Sequence, residues 1–574
     1  MSLLDLRALP SPARRAADSI GSLLRVPTAG LVGATLFLWI SLTPSLLPRD
    51  WMFQGLIGGI SAAIGHGIGI VVAAAARRWL APRLVFWPPS TLVQTRIRLG
   101  IYTICAVGTV LMLVAAVRWQ SQIADYMGTV PPTVLGYSRT IVLSAVIGLV
   151  ILATARGLRD ESRWVAGLLI RRWRFPRRAA VAVGVVVVAL VTYLFVAGIG
   201  VRVGYAALNW AFSAQNDTTR DGAVRPTLPE KSGSPASKAS WESLGFEGRN
   251  FVSGGVRASE LSRLTGRPAK EPIRVYAGLE TADDTDARMR VIVDELERTG
   301  AFDRKTLVVI PTTGTGWVNP TAAQTMELVA DGDSALVAAQ YSYLPSWLSF
   351  VADRQAAADA GRALVTAVHD RWLTKPAEHR PKLFVYGESL GTQAGEGAFD
   401  GLAEIRDTVD GVLWVGPPNS NPLWRSLTDR RDPGTPETEP TYADGLVVRF
   451  ANDAEGITRN PREWLSPRVL YIQHPSDPVV WWSTDLLFSE PDWLAERTAG
   501  DASAMRWFPI VTFWQVSADL GNAAGVPDGH GHNYGTQILD GWVAVTNPDG
   551  WTAADTQRIR NALNELRGHD GPEK

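Results

Sequence analysis

The chain has 574 residues, 56 basic and 56 acidic, and a single cysteine. That length exceeds one ordinary domain, and the balanced charge excludes the basic excess of a nucleic-acid binder. One cysteine excludes an intramolecular disulfide and a zinc site built on several thiolates. Cys105 stands in an apolar run and reads as a small core residue. The 22 tryptophans fit membrane interfaces, apolar clefts or ordinary cores.

Residues 1–205 read as a membrane domain. Apolar runs occupy 28–47, 52–76, 99–117, 138–156 and 179–203. Each approaches the ~20 residues that cross a bilayer core, and Pro44 interrupts the first near its end. The N-terminus lacks the pattern of a cleavable signal peptide. Lys and Arg set the orientation. Seventeen arginines lie before the first run, between the second and third, and between the fourth and fifth; the alternate loops hold only Arg49, Arg118 and Arg139. Positive loops stay inside, so the expectation is a cytoplasmic N-terminus, five crossings and an extracytoplasmic C-terminal half in a multi-pass cell-membrane protein. His66 falls inside the second run and reads as a neutral ring bonded to a neighbouring helix.

A linker over 206–240 follows. Its polar part, 215–240, is rich in Pro, Ser and Gly and has no apolar period. From 241 to 574, short apolar runs alternate with amphipathic stretches. Strands are expected at 273–279, 306–310, 334–341, 383–386, 411–416 and 468–473, with helices over 286–300 and 353–373. Such alternation predicts βαβ units and a mostly parallel sheet flanked by helices.

One run, "LFVYGESLG", carries chemistry. Gly387-Glu388-Ser389-Leu390-Gly391 is a G-x-S-x-G pattern between an expected strand and an expected helix. A tight turn there raises the Ser389 hydroxyl above the sheet edge, and its glycines let strand and helix pack closely. The alternative is a glycine-rich turn with a capping serine.

A serine nucleophile needs a base, and on such an elbow the partners follow in the order acid, then histidine. His369 and His379 precede Ser389, and His569 lies in a polar tail. The glycine-rich segment "GVPDGHGHNY" offers His530 and His532, with His532 favoured because it adjoins the next helix. The other is expected to brace the loop. Asp477 follows the strand at 468–473 and is the favoured acid; Asp453 competes, and either aspartate can simply cap a turn. His474 is expected to shape the pocket. Oxyanion donors are expected at Leu390, which opens the helix, and at Thr312, Thr313 and Gly314 after the second strand. Tyr343, Trp347, Trp481 and Trp482 are candidates to line an acyl site or to fill the core. No cofactor or metal is expected.

Together, "RVYAGL", "TGTGWVNP", "QYSYLPSW", "GESLG" and "GHGHNY" resemble a family of membrane-bound α/β-hydrolases of actinobacteria. Its members join a multi-spanning N-terminal region to a serine-hydrolase domain. The resemblance implies an all-α transmembrane bundle followed by an α/β-hydrolase fold. It also implies a Ser–Asp–His triad at Ser389, Asp477 and one of the two neighbouring histidines. The expected activity is hydrolysis of acyl esters, of lipid or cell-envelope origin, by a protein whose partners are the bilayer and a lipid or glycolipid ester. An acyltransferase using the same triad is the near alternative. A non-catalytic membrane scaffold or transporter is the alternative of another class.

Overall fold

A computed structural model describes residues 27–80, 90–345, 354–496 and 505–570. Trp347 lies outside them. The chain forms two compact units. The first takes in Met1–Arg202, Thr484–Leu494 and Thr498–Asn522, and the second Val203–Ser483, Ala495–Arg497 and Ala523–Lys574.

The first unit is helical. Among the described residues four helices are long and apolar enough to span a membrane: α2 (Trp51–Trp79), α3 (Thr91–Met127), α4 (Val134–Trp173) and α5 (Arg177–Asn216), the last running into the second unit. Before them, α1 (Thr28–Ser41) has 14 residues. At about 1.5 Å per residue it reaches roughly 21 Å, short of the ~30 Å hydrocarbon core. The expected first span of 28–47 is therefore corrected to a short helix. Its last residues turn out of the helix ahead of Pro44, which cannot supply a helical N–H. Asp50 then starts α2 by accepting bonds from the amides of Met52 (2.8 Å) and Phe53 (3.0 Å). Glycines join α1 to α2: a Cβ on Gly33 would lie 2.2 Å from the Gly65 carbonyl oxygen. His66 is buried against Gly30 of α1. Cys105 is half-buried and unpaired.

The first unit also contains a stretch from far along the chain. Helix α7 (Val511–Asp519) ends in a fully buried aspartate; α6 is the elbow helix Leu390–Glu396. Asp519 faces Arg49 at 3.3 Å and accepts bonds from the Ser45 hydroxyl (2.5 Å) and the Leu46 amide (3.1 Å). Burial pushes its pKa up, and the Arg49 charge and these donors oppose that shift.

The second unit is built on seven parallel strands: β1 (Ile273–Ala277), β2 (Thr306–Pro311), β3 (Ser334–Ala339), β4 (Lys382–Glu388), β5 (Gly411–Val415), β6 (Val448–Ala451) and β7 (Arg468–Ile472). Their order is β1-β3-β2-β4-β5-β7-β6. The strands are buried nearly throughout, as expected of a sheet covered on both faces. The six strands expected from the sequence all form, and β6 is the apolar run before Asp453.

The polar stretch before β1 is not loose. Ser232 donates its amide to the Arg274 carbonyl (3.0 Å), and the Arg274 amide donates to Glu230 (3.2 Å). The Ser232 hydroxyl accepts the Tyr276 amide at 3.1 Å. Beneath it, Arg274 and Glu327 form a buried ion pair at 2.6 Å, and Glu327 also accepts the Val256 amide at 3.1 Å. Glu327→Ala would strand a buried guanidinium. It is expected to cost about 3–5 kcal/mol, read as an earlier thermal or denaturant midpoint. Asp294→Ala breaks the exposed pair with Lys238 and is expected to cost under about 1 kcal/mol. Equal midpoint shifts in the two variants would contradict the burial argument.

Candidate active site

The strand-to-helix turn after β4 has the geometry that its glycines demand. Ser389 adopts φ 55° and ψ −128°, rare for a residue with a Cβ. A Cβ on Gly387 would lie 2.6 Å from the Gly391 carbonyl oxygen, and one on Gly391 would lie 2.7 Å from that of Pro311. The pattern therefore lets α6, β4 and the end of β2 touch backbone to backbone. The Ser389 amide donates to the Val415 carbonyl at 2.9 Å, which ties the elbow to β5. Ser389 itself stays partly exposed.

His532 and Asp477 meet. His532 Nδ1 lies 2.6 Å from Asp477 Oδ2, with both side chains largely buried. The ring packs on Gly416, directly after Val415, where a Cβ would come within 2.5 Å of Cε1. The imidazole thus lies at the same end of β5 that anchors the Ser389 amide. Its Nε2 is buried and makes no hydrogen bond among the described residues. Asp477 is fully buried and held on both oxygens. Oδ2 also accepts the Tyr534 hydroxyl at 2.7 Å, and Oδ1 accepts the Val479 amide at 2.8 Å.

The electrostatics suit a base. Burial is the largest influence on His532 and pushes its pKa down. The charge and hydrogen bond of Asp477, with a smaller pull from Glu388, outweigh it and leave the pKa above the usual 6.5. Glu388 is buried and accepts bonds from the Tyr386 hydroxyl (2.5 Å) and from Asn319 Nδ2 (2.8 Å). Asn319 also caps the helix Pro320–Val329 with its carbonyl oxygen.

The other candidates have different surroundings. His530 closes a turn, its amide donating to Pro527 (3.2 Å) and its carbonyl accepting from Asn533 (3.1 Å); burial lowers its pKa. Asp453 caps the helix Ala454–Arg459 through the Gly456 amide at 2.7 Å. His474 stacks on Tyr534, with ring centroids 4.1 Å apart, and its nitrogens meet the Gly531 carbonyl (2.8 Å) and Gln537 Oε1 (2.7 Å). It braces the loop that carries His532. Of the two readings open for Trp481, the core is the one observed: it is fully buried, donates to the His474 carbonyl at 2.9 Å and packs edge-on against Trp424.

Of the oxyanion candidates, Leu390 opens α6, where first-turn amides lack helical acceptors. Thr312 and Thr313 are buried beside the elbow, and Thr312 fastens its hydroxyl to the Ala339 carbonyl at 2.7 Å. Gly314 lies one residue further, in the turn closed by the Gly316 amide on Thr313 (2.9 Å). Sequence reasoning missed Glu388, Gly416 and Tyr534. The glycine ending "GVLWVG" was the one available signal, since a buried strand that stops on glycine often receives a close neighbour.

A hydroxyl, an imidazole and a carboxylate thus come from the C-terminal ends of neighbouring parallel strands and the loops beyond them. Residues 273–559 match the model of an alpha/beta-hydrolase family, and residues 42–255 match the model of that family's N-terminus. No curated protein and no solved structure matches the chain. Gly416→Ala would push a methyl group into the His532 ring and would also strain a backbone at φ 58°. Its expected effect is at least a tenfold slower reaction of Ser389 with a fluorophosphonate, measured as labelling rate. An unchanged rate would show that the ring position does not matter.

Proposed function

The chain belongs to the alpha/beta-hydrolase family, and on that premise we propose that it is a serine hydrolase of acyl esters, with Ser389 as nucleophile. The observation that carries this reading is the buried 2.6 Å pair of His532 and Asp477 at the strand end that anchors Ser389. In this reading Asp477 fixes the ring with Nδ1 protonated, so that Nε2 presents its lone pair. Nε2 takes the Ser389 proton as Oγ attacks the acyl carbonyl, and the oxyanion is met by the Leu390 and Thr312–Gly314 amides. His532 then returns the proton to the leaving alcohol. Water, activated by the same ring, releases the acid. Tyr534 and His474 keep the acid and the loop in place without touching substrate.

The four long apolar helices favour an ester carried by lipid or envelope. Arginines favour an extracytoplasmic hydrolase unit. They cluster at and between the facing ends of α2 and α3 (Arg77, Arg78, Arg83, Arg96, Arg98) and of α4 and α5 (Arg163, Arg171, Arg172, Arg174, Arg177, Arg178), which holds those two connections inside and lets α5 emerge outside. This argument is independent of the short α1, which decides only the side of the N-terminus. Protease added to whole cells should cut the second unit; full protection would reverse the orientation.

A fluorophosphonate is expected to label the wild type and to leave Ser389→Ala unlabelled. Absent or equal labelling would remove the basis for a nucleophile. The base must be neutral to act, and its pKa is raised. Labelling should therefore slow as pH falls through a value above 6.5, the ordinary value for the imidazole. Asp477→Asn should lower the rate by orders of magnitude and shift that acid limb downward. An acid limb that stays in place would exclude Asp477 as the partner.

A further inference from the structure

We propose that the cavity beside the 313–317 loop binds an uncharged, hydroxyl-rich head group, such as a sugar, belonging to the ester or to its acceptor. The inference rests on the serine-hydrolase reading and names the substrate class of that site. The cavity has a volume of about 320 Å³, and its walls include Gln215, Phe246, Glu247, Thr313, Trp317 and Tyr343. It lies close to the elbow. Gly391 abuts the backbone of Pro311 and Thr312, and the next residue, Thr313, is already in the wall.

The walls are braced from behind. Tyr276 donates its hydroxyl to the Gly316 carbonyl at 2.9 Å. Gln340 is buried and donates to Asn216 Oδ1 and to the Ser342 carbonyl, both at 3.0 Å. Arg249 grips the carbonyls of Asn216 (2.5 Å) and Thr218 (2.6 Å), which fixes the end of α5. The cavity is therefore formed in advance, so little ordering cost falls on binding.

Its chemistry selects the ligand. Among the described residues no Lys, Arg or His lines it, whereas Glu247 does. A phosphate or carboxylate head would meet an acid in the wall, while Arg220, whose charge acts on that acid, lies outside the lining. Burial pushes the Glu247 pKa up; its weak bond from Asn250 at 3.5 Å and the charge of Arg220 oppose this. An acyl chain would cover Glu247, Gln215 and the threonine hydroxyls without giving them partners, at about 1–3 kcal/mol for each group left unsatisfied. A quaternary ammonium would suit the rings and the carboxyl but offers the amide and hydroxyls nothing to bond. A sugar ring presents C–H faces for Phe246, Trp317 and Tyr343 and hydroxyls for the polar groups.

The test uses the full-length Ser389→Ala protein in lipid nanodiscs, with equilibrium dialysis against labelled maltose. Saturable binding is expected, weakened at least tenfold by Glu247→Gln and by Trp317→Phe. Absent binding, or binding that neither variant alters, overturns the site. So does decanoate, choline or inorganic phosphate binding that Glu247→Gln alters while maltose does not bind. In the active protein, the ratio of kcat/KM for an acylated glucose over the ethyl ester of the same acid should fall at least tenfold in Glu247→Gln. An unchanged ratio places the sugar elsewhere. The two readings fail separately: maltose binding without fluorophosphonate labelling sinks the hydrolase alone, and labelling without maltose binding sinks the sugar site alone.

Discussion

Ser389 holds a backbone conformation that costs on the order of 1–3 kcal/mol, and the surrounding packing must over-determine it. Three close approaches do so. Gly387 meets Gly391, Gly391 meets Pro311, and the Ser389 amide is bonded to Val415. Each joins the elbow to a different neighbour: its own helix, the end of β2 and the end of β5. A relaxed Ser389 would have to move β4 against both neighbouring strands, whose registers are set by ladders of buried residues. The strain is thus maintained by the core, and it holds one hydroxyl at the rim without relying on a flexible side chain.

The same economy governs the imidazole. His532 is placed by backbone as much as by Asp477. Gly416 leaves room for the ring, and the His532 amide donates to Ala523 at 2.7 Å. Asp477 receives three donors, so its charge is delocalised over bonds that do not depend on His532 being protonated. Glu388 adds a second buried acid whose charge also acts on the ring. One carboxylate orients, the other biases, and neither is exposed enough for solvent to screen it strongly.

Much of this was legible in the chain. Short apolar runs alternating with amphipathic stretches marked the strands, because a covered parallel sheet needs continuous apolar segments. The glycines around Ser389 marked the elbow, because only their absent side chains admit such contacts. Other features were not legible. The pairing of His532 rather than His530 with Asp477 depends on which of two neighbouring side chains the 527–533 turn aims inward, and spacing alone does not encode that. Glu388, Tyr534 and Gly416 act through tertiary proximity. Likewise, the polar composition of 229–234 gave no sign that these residues would bond alongside β1, since backbone groups do that work whatever the side chains.

The least legible feature is the path between Asp477 and His532. After Asp477 the chain leaves the second unit at Ser483 and, apart from Ala495–Arg497, returns only at Ala523. The excursion is tethered within the helical unit by Asp519, whose buried charge is met by Arg49 and by donors from residues 45–46. Removing Arg49 would leave that carboxylate buried without its counter-ion, a penalty of several kcal/mol that local rearrangement would have to relieve. Four residues beyond Asp519, the Ala523 carbonyl accepts the His532 amide. The course of the chain between Asp477 and His532 thus includes a buried polar contact inside the first unit that no local pattern in the sequence announces.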